Sequence, residues 1–144
     1  MATFYKFDQF VEDLAHQVHD LSSDAITIAL TLTAPVQTNE ILSNLTEIAY
    51  TNVVTTPNAS RVCGTPTSSA QTSGVYKLTF ADMTITATGG SIADFRYIVI
   101  YNDTPASPLN PLIGWYDYGS TLSLSTGETL LIDWDASAGT LTIT

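Results

Sequence analysis

Two histidines are the first residues whose spacing suggests chemistry. His16 and His19 form H-x-x-H within a segment that we expect to be helical, so they occupy adjacent positions on one helix face. Together with Asp20 or Glu12, two imidazoles could hold zinc. The sequence marks no third strong ligand, and the glutamate that zinc hydrolases carry next to the first histidine is missing. We therefore expect a solvated helix face and predict no metal.

Carboxylates and the single cysteine are the remaining catalytic candidates. Asp133 and Asp135 in "IDWDASAG", or Asp117 in "GWYDYG", could form an acid pair or bind calcium, but the D-x-D-x-D-G spacing is missing. Turn and edge-strand acids are the favoured interpretation. Cys63 has no histidine nearby in sequence, and the chain has neither a G-x-S-x-G elbow nor a phosphate-binding glycine loop. We predict a protein that is not an enzyme and uses no cofactor.

Aromatic residues crowd the C-terminal half, where six of them stand between residues 97 and 134. Exposed, such rings suit sugar stacking or a protein interface, whereas a β-sandwich also uses them as core. Core is the favoured interpretation. The residues that we name as possible partner contacts are Arg61, Tyr97, Tyr101, Trp115 and Tyr116.

Composition limits the class of protein. The chain has 144 residues, which suggests one domain over 1–144, and 44% hydrophobic residues, which is too many for disorder. Charged residues make up only 12%, while 23 Thr and 13 Ser favour pleated, half-solvated strands. A net charge of −10 without a basic stripe argues against nucleic acid and anionic membranes as partners.

The N-terminal third combines helix and strand signals. Apolar residues at three- and four-residue steps predict an amphipathic helix over 4–21, capped by Thr3. "AITIALTLT" alternates and predicts a strand with one buried face that begins the β-domain at residue 25. "NEILSNLTEIA" predicts a short second helix. The start lacks the basic and apolar regions of a signal peptide, and one cysteine excludes an internal disulfide.

The stretch 50–74 differs from the rest, being rich in Thr, Ser, Pro and Gly and free of acids. A structureless loop of this length is unusual in a compact domain. Two alternatives stay open: a weak strand around Val53–Thr56 or Arg61–Cys63, or an extended arm ordered by a partner.

Short alternating segments fill the remainder of the chain. "VYKLTF", "MTITAT", "DFRYIVIYND", "LIGWYDYG" and "TLTIT" predict strands, and "TLSLSTGETLLIDW" predicts a hairpin over "STGE". In "DFRYIVIYND" we expect Phe95, Tyr97, Val99 and Tyr101 to face an opposite sheet, with the other face covered by the N-terminal helix. The fold class is mainly β, an antiparallel β-sandwich or jelly-roll-like domain with an N-terminal amphipathic helix and one short second helix.

These blocks together resemble a family of small tailed-bacteriophage virion proteins. The resemblance lies in "FYKFDQFVEDLAHQVHDLSSDAITIALTLTAPV", which contains F-x-x-F-V-E-D-L-A and L-T-x-T-A-P-V. It continues in "SAQTSGVYKLTF", "FRYIVIYND", "PLIGWYDYGS" and "GETLLIDWDASAGTLTI". The stretch 50–74 matches least. These shared motifs are structural rather than catalytic.

The resemblance implies a virion structural protein with a β-sandwich fold. The first hypothesis is a capsid decoration (cement) protein that binds the major capsid protein shell and stabilises it, as a homo-oligomer, with a trimer favoured. Such a protein is made in the host bacterial cytoplasm and resides on the capsid surface. The alternative is a glycan- or receptor-binding module of a tail or head fibre, with an aromatic cleft formed by Trp115 with Tyr116 or Tyr118.

Overall fold

The computed structural model describes residues 2–144 and is mainly β. Among these residues, helical structure comprises α1 (Gln9–Ala15) and two short 3₁₀ turns, Leu42–Asn44 and Ala59–Arg61. The strands, in chain order, are β1 (Thr3–Lys6), β2 (Ile26–Thr31), β3 (Val53–Thr56), β4 (Ser68–Thr72), β5 (Val75–Thr79), β6 (Met83–Ala87), β7 (Phe95–Asn102), β8 (Leu112–Leu122), β9 (Thr129–Ile132) and β10 (Leu141–Ile143).

The strands form three antiparallel sheets. The four-stranded sheet has the order β1-β8-β7-β2, and the two three-stranded sheets have the orders β3-β6-β9 and β10-β5-β4. Strands β5 and β6 follow each other across residues 80–82, and β10 and β9 pair with them in turn, both antiparallel. The two small sheets therefore continue one another, with a bend at residues 80–82.

One hydrophobic core joins all three sheets. Ile28 and Ile100 lie opposite each other on β2 and β7, and both are almost fully buried. The same cluster contains Leu78 of β5 and Ile85 of β6, together with Ile132 at the end of β9. The four-stranded sheet therefore packs one face, its inner face, against the two small sheets.

The faces of β7 are the reverse of the sequence-based expectation. Ile98 and Ile100 belong to the core shared with the small sheets, whereas Tyr97, Val99 and Tyr101 lie on the outer face. Phe95 is in the inner core because the pairing with β8 shifts register between Phe95 and Tyr97. A bulge of this kind changes the face on which following side chains lie, and strict alternation in the sequence gives no sign of it.

The outer face has its own cover. Phe7 is fully buried in a second cluster with Ala29, Val99 and Trp115, and Leu42 and Leu45 pack against that cluster. All six residues of β2 are buried, so the prediction of a single buried face for this strand is wrong. Two-sided burial accounts for the apolar residues that both faces of β2 and β7 carry, with Thr27 and Thr31 buried among them.

The predicted second helix is reduced to the 3₁₀ turn Leu42–Asn44. The Asn44 side chain accepts hydrogen bonds from the N–H groups of Glu40 and Ile41, and Ile41 forms an isolated bridge with Pro111. These contacts hold the segment in an extended form that lays Leu42 and Leu45 across the sheet. Tertiary packing outweighs the helical spacing of its apolar residues.

The predicted N-terminal helix over 4–21 is also corrected. Residues Thr3–Lys6 form β1, which pairs with β8, and only Gln9–Ala15 are helical. Aromatic residues favour strands, and here Phe4 lies opposite Tyr116 across the pair. The helix stops where Gln17 adopts a left-handed backbone with a φ of 61°. Of the apolar positions that predicted the helix, Phe4 lies in β1, Val11 and Leu14 lie in α1, and Phe7, Val18 and Leu21 lie outside both elements.

The stretch 50–74 contains β3, the turn Ala59–Arg61 and β4, so the strand at 53–56 is the alternative that the structure shows. Parts of this stretch cover the free edge of β2. The N–H of Cys63 donates to the Ile26 carbonyl, and the N–H of Leu30 donates to the Tyr50 hydroxyl. These contacts supply the hydrogen bonds of an edge strand that would otherwise be open.

The predicted hairpin over "STGE" is wrong. Strand β8 pairs with β7, whereas β9 pairs with β6 in a different sheet. The connection between them crosses from one layer to the other, and the N–H of Gly127 donates to the Ala87 carbonyl at 2.7 Å. Alternation alone identifies both strands but cannot assign their partners.

Leu30 and Leu32 offer a matched test of this layering. Leu30 is fully buried between the sheets, whereas Leu32, two residues on, is 49% exposed. We expect Leu30→Ala to lower the free energy of unfolding by about 2–5 kcal/mol, because it leaves a cavity in the core. Leu32→Ala changes it by less than about 0.5 kcal/mol. Equal losses in urea unfolding would contradict the burial assigned to Leu30.

Candidate functional site

The two histidines of H-x-x-H do not converge. His16 is exposed, with its Nδ1 3.7 Å from Oε1 of Glu12, whereas His19 is buried against the ring of Phe10. No group of three or more His, Cys, Asp or Glu side chains that could hold a metal occurs among residues 2–144. The pair therefore divides between a solvent-facing residue and a core residue.

His19 belongs to a buried polar network instead. The Asn102 side-chain amide donates to Nδ1 of His19 at 3.1 Å and to a carboxylate oxygen of Asp24 at 2.6 Å. Nδ1 therefore acts as an acceptor, which requires the neutral ring. Burial lowers the pKa of His19 below its ordinary value of 6.5, and the carboxylates of Asp13 and Asp24 oppose that shift.

The residues that the sequence offered as acids or nucleophile are either hydrogen-bonded within the chain or buried. Asp117 accepts two hydrogen bonds from the guanidinium of Arg96, at 2.7 and 2.9 Å, and the same contact lowers the pKa of Asp117. Asp135 accepts the N–H groups of residues 137 and 138 in the turn before β10. Burial raises the pKa of the Cys63 thiol to about 12, so its reactive thiolate is scarce at neutral pH.

The predicted aromatic contacts lie on two opposite faces. Tyr97, Tyr101 and Trp115 lie on the outer face of the four-stranded sheet, where Trp115 stacks on the half-exposed ring of Tyr5 at 5.2 Å. Tyr116 packs against the inner core. Trp115 and Tyr116 are neighbours on one strand and point to opposite sides, so no single cleft holds both.

Arg61 has intramolecular contacts. Its guanidinium lies 3.5 Å from the ring centre of Tyr50, and its Nε donates to the Ile28 carbonyl at 3.2 Å. Tyr50 in turn donates to Glu47. Arg61 and Ser60 both adopt left-handed backbone, which places the guanidinium over the β2 edge. These contacts of Arg61 cover the edge of β2 from within the same chain.

A groove of about 700 Å³ opens on the opposite side of the molecule. It lies between β1, the last strand of the large sheet, and β9, the last strand of a small one. We call it the edge groove. Its apolar lining comes from Phe4, Ile98, Tyr116, Tyr118, Leu130, Leu131, Ile132 and Trp134, and its carboxylates are Asp133 and Asp135.

Close packing of rings shapes the edge groove. The rings of Phe4 and Tyr116 are 5.1 Å apart, and those of Tyr116 and Trp134 are 6.1 Å apart. Gly114 makes this possible, because a Cβ there would lie 2.5 Å from Cζ of Phe4. Burial raises the pKa of Tyr116 to about 12, and its hydroxyl donates to the Thr140 carbonyl at 2.7 Å.

Exposed apolar groups and acids border the edge groove. Leu131 is 59% exposed and Tyr118 is 48% exposed, while Asp133 is exposed at the end of β9. Among the described residues, no strand pairs with the outward edge of β9 or of β1. The groove thus offers apolar contact, carboxylates and strand edges in one place, a combination suited to holding an extended, partly apolar ligand.

Sequence reasoning found part of this site. It named Tyr116, and it singled out Tyr118, Trp134, Asp133 and Asp135 as aromatic or acidic candidates. It missed Phe4, which was assigned to a helix, and Leu131, whose place at the sheet edge follows from β9 pairing with β6 instead of β8. The available signal was "TLLI", a short apolar run that carries no charge.

Comparison of the chain with protein-family models, curated proteins and solved structures found no match. Along residues 2–144, no helix is both long enough and apolar enough to cross a membrane.

His19 predicts a pH dependence of stability. Its folded pKa lies below the unfolded value, so the unfolded chain binds the proton more readily, and stability falls as pH drops below about 6.5. We expect the free energy of unfolding to decrease between about pH 7.5 and about pH 5, and His19→Gln to flatten that slope. His16→Gln, at an exposed position, is the control. An unchanged slope in the His19 variant would contradict the assignment.

Proposed function

We propose that the chain is a tailed-bacteriophage virion structural protein, a capsid decoration (cement) protein that binds the major capsid protein shell and stabilises it. It is made in the bacterial cytoplasm, resides on the capsid surface and performs no catalysis. The observation that carries the proposal is the edge groove, an apolar surface with unpaired strand edges on an otherwise acidic protein. Such a surface favours assembly with another protein.

The proposal includes a β-sandwich with jelly-roll-like connectivity. The sandwich part of this proposal is supported by the core that the inner face of the large sheet shares with the two small sheets. A domain whose core joins distant parts of the chain is suited to bridging subunits, because its binding surfaces keep fixed positions relative to one another. The resemblance to phage virion proteins in ordered sequence blocks supports the same function.

Self-association into a trimer is proposed through the part of the outer face of the large sheet around Tyr5, which Phe7, Leu42 and Leu45 do not cover completely. There, the half-exposed Tyr5 stacks on Trp115, and the ion pair of Arg96 and Asp117 lies beside Tyr97. Aromatic residues and arginine are enriched in protein interfaces. This face is separate from the edge groove, so a trimer leaves the groove open to the shell.

Shell stability tests the proposed function. We expect virions assembled without the protein to lose their DNA at a lower temperature or on dilution. Adding the purified protein should restore the stability of these virions. The measurement is release of packaged DNA during a thermal ramp, read by a dye. As a control, Leu32→Ala protein restores stability like the wild type. Unchanged stability of virions that lack the protein would contradict the cement function.

A second candidate function, glycan or receptor binding, is favoured by one observation. The exposed ring of Tyr118 lies with Trp134, Asp133 and Asp135 in the edge groove, and sugars bind through aromatic stacking and carboxylate hydrogen bonds. A glycan array and a cell-binding assay separate the candidates. Binding that Tyr118→Ala abolishes would support the glycan module, and few copies per virion, at the tail, would exclude the cement role.

A further inference from the structure

The two edges that border the edge groove differ in their protection. Strand β1 carries Lys6, and a lysine on an edge strand is a common device against pairing with other chains. Strand β9, "TLLI", carries no charge between Glu128 and Asp133, which flank it, and Leu131 in it is 59% exposed. An apolar edge strand without such protection is a liability unless something covers it. We therefore expect a partner to cover the edge of β9 and not that of β1.

The backbone of β9 has groups available for a new strand. Ala87 donates its N–H to the Glu128 carbonyl, which makes residues 130 and 132 the ones that bond to β6 in the antiparallel alternation. The N–H and C=O groups of Leu131 then point away from β6, toward the open edge. An added strand would bond to them and place every second side chain in the edge groove.

Charge identifies the occupant. Asp133 follows β9 at an exposed position, and Asp135 stands two residues further on. The chain has 14 acids against 4 bases, so a second copy would bring like charges together at this edge. A segment with apolar residues and lysine or arginine in alternation would place apolar side chains in the edge groove and cations near Asp133.

We propose that the free edge of β9 binds an extended basic and apolar segment of another protein, which adds as a further strand and fills the edge groove. This inference deepens the proposed function, because that segment would be the contact with the shell protein. Main-chain hydrogen bonds to Leu131 supply affinity, and the groove and Asp133 supply selectivity.

The probe is a fluorescein-labelled ten-residue peptide of alternating valine and lysine, followed by fluorescence anisotropy with the full chain. We expect saturable binding below about 1 mM that weakens with added salt, and none for the valine–glutamate peptide. Two further peptides are N-methylated, one at every valine and one at every lysine. Because a strand pairs through alternate residues, one of the two should lose affinity about tenfold more than the other.

Variants of the chain localise the binding. Leu131→Pro removes the N–H that points outward from β9. Proline is tolerated at such a position of an edge strand, and we expect about tenfold weaker peptide binding. Leu131→Ala keeps the N–H and is the matched control, with thermal unfolding of both variants to show that they fold. Asp133→Asn should reduce the salt dependence. Absence of binding at about 1 mM, equal affinities of the two methylated peptides, or equal effects of the two Leu131 variants would overturn the proposal.

The outcome is separable from that of the proposed function. Peptide binding at β9 together with unchanged stability of virions that lack the protein would refute the cement role and leave the strand-addition site in place. Restored virion stability with no peptide binding would leave the cement role and refute the site.

Discussion

Strands β2 and β7 need cover on both faces, because nearly every side chain they carry is buried. One face packs against the two small sheets, and the other is covered by Phe7, Leu42 and Leu45. The outward edge of β2 needs partners as well, and the segment around Tyr50 and Cys63 supplies them. Residues 36–63, which are largely irregular apart from β3, thus cover one side of the molecule around these two strands.

Closing that side leaves the other side open. In the large sheet β1 is the edge strand at the end opposite β2, and the edge groove lies between β1 and β9, an edge strand of a small sheet. Its aromatic floor is held by close ring contacts that Gly114 permits. The groove combines an apolar lining with the acids Asp133 and Asp135. Under the proposed function, the edge groove would be the surface that contacts the shell protein.

Strand positions were largely predictable from the sequence, because alternation in "VYKLTF", "MTITAT" and "FRYIVIYN" depends only on local pattern. The sheet face on which each side chain lies and the pairing of the strands were not predictable. The bulge after Phe95 inverts the expected faces of β7, and β8 and β9 separate into different sheets. The segment Thr3–Lys6 has helical spacing, yet pairing with β8 makes it a strand. The edge groove depends on these pairings between distant strands. Most of its aromatic residues could therefore be named from the sequence, but their arrangement could not be predicted.

The most direct test of the central claim is hydrogen–deuterium exchange of the protein on virions compared with the free protein. Occupation of the open side predicts slowed amide exchange across Thr129–Ile132, with the Leu131 amide most affected, because an added strand would bond to it. The edge of β2, already covered within the chain, should exchange equally in both states. Unchanged exchange in β9, with slowing confined to other surfaces, would contradict the claim that the edge groove is the assembly site.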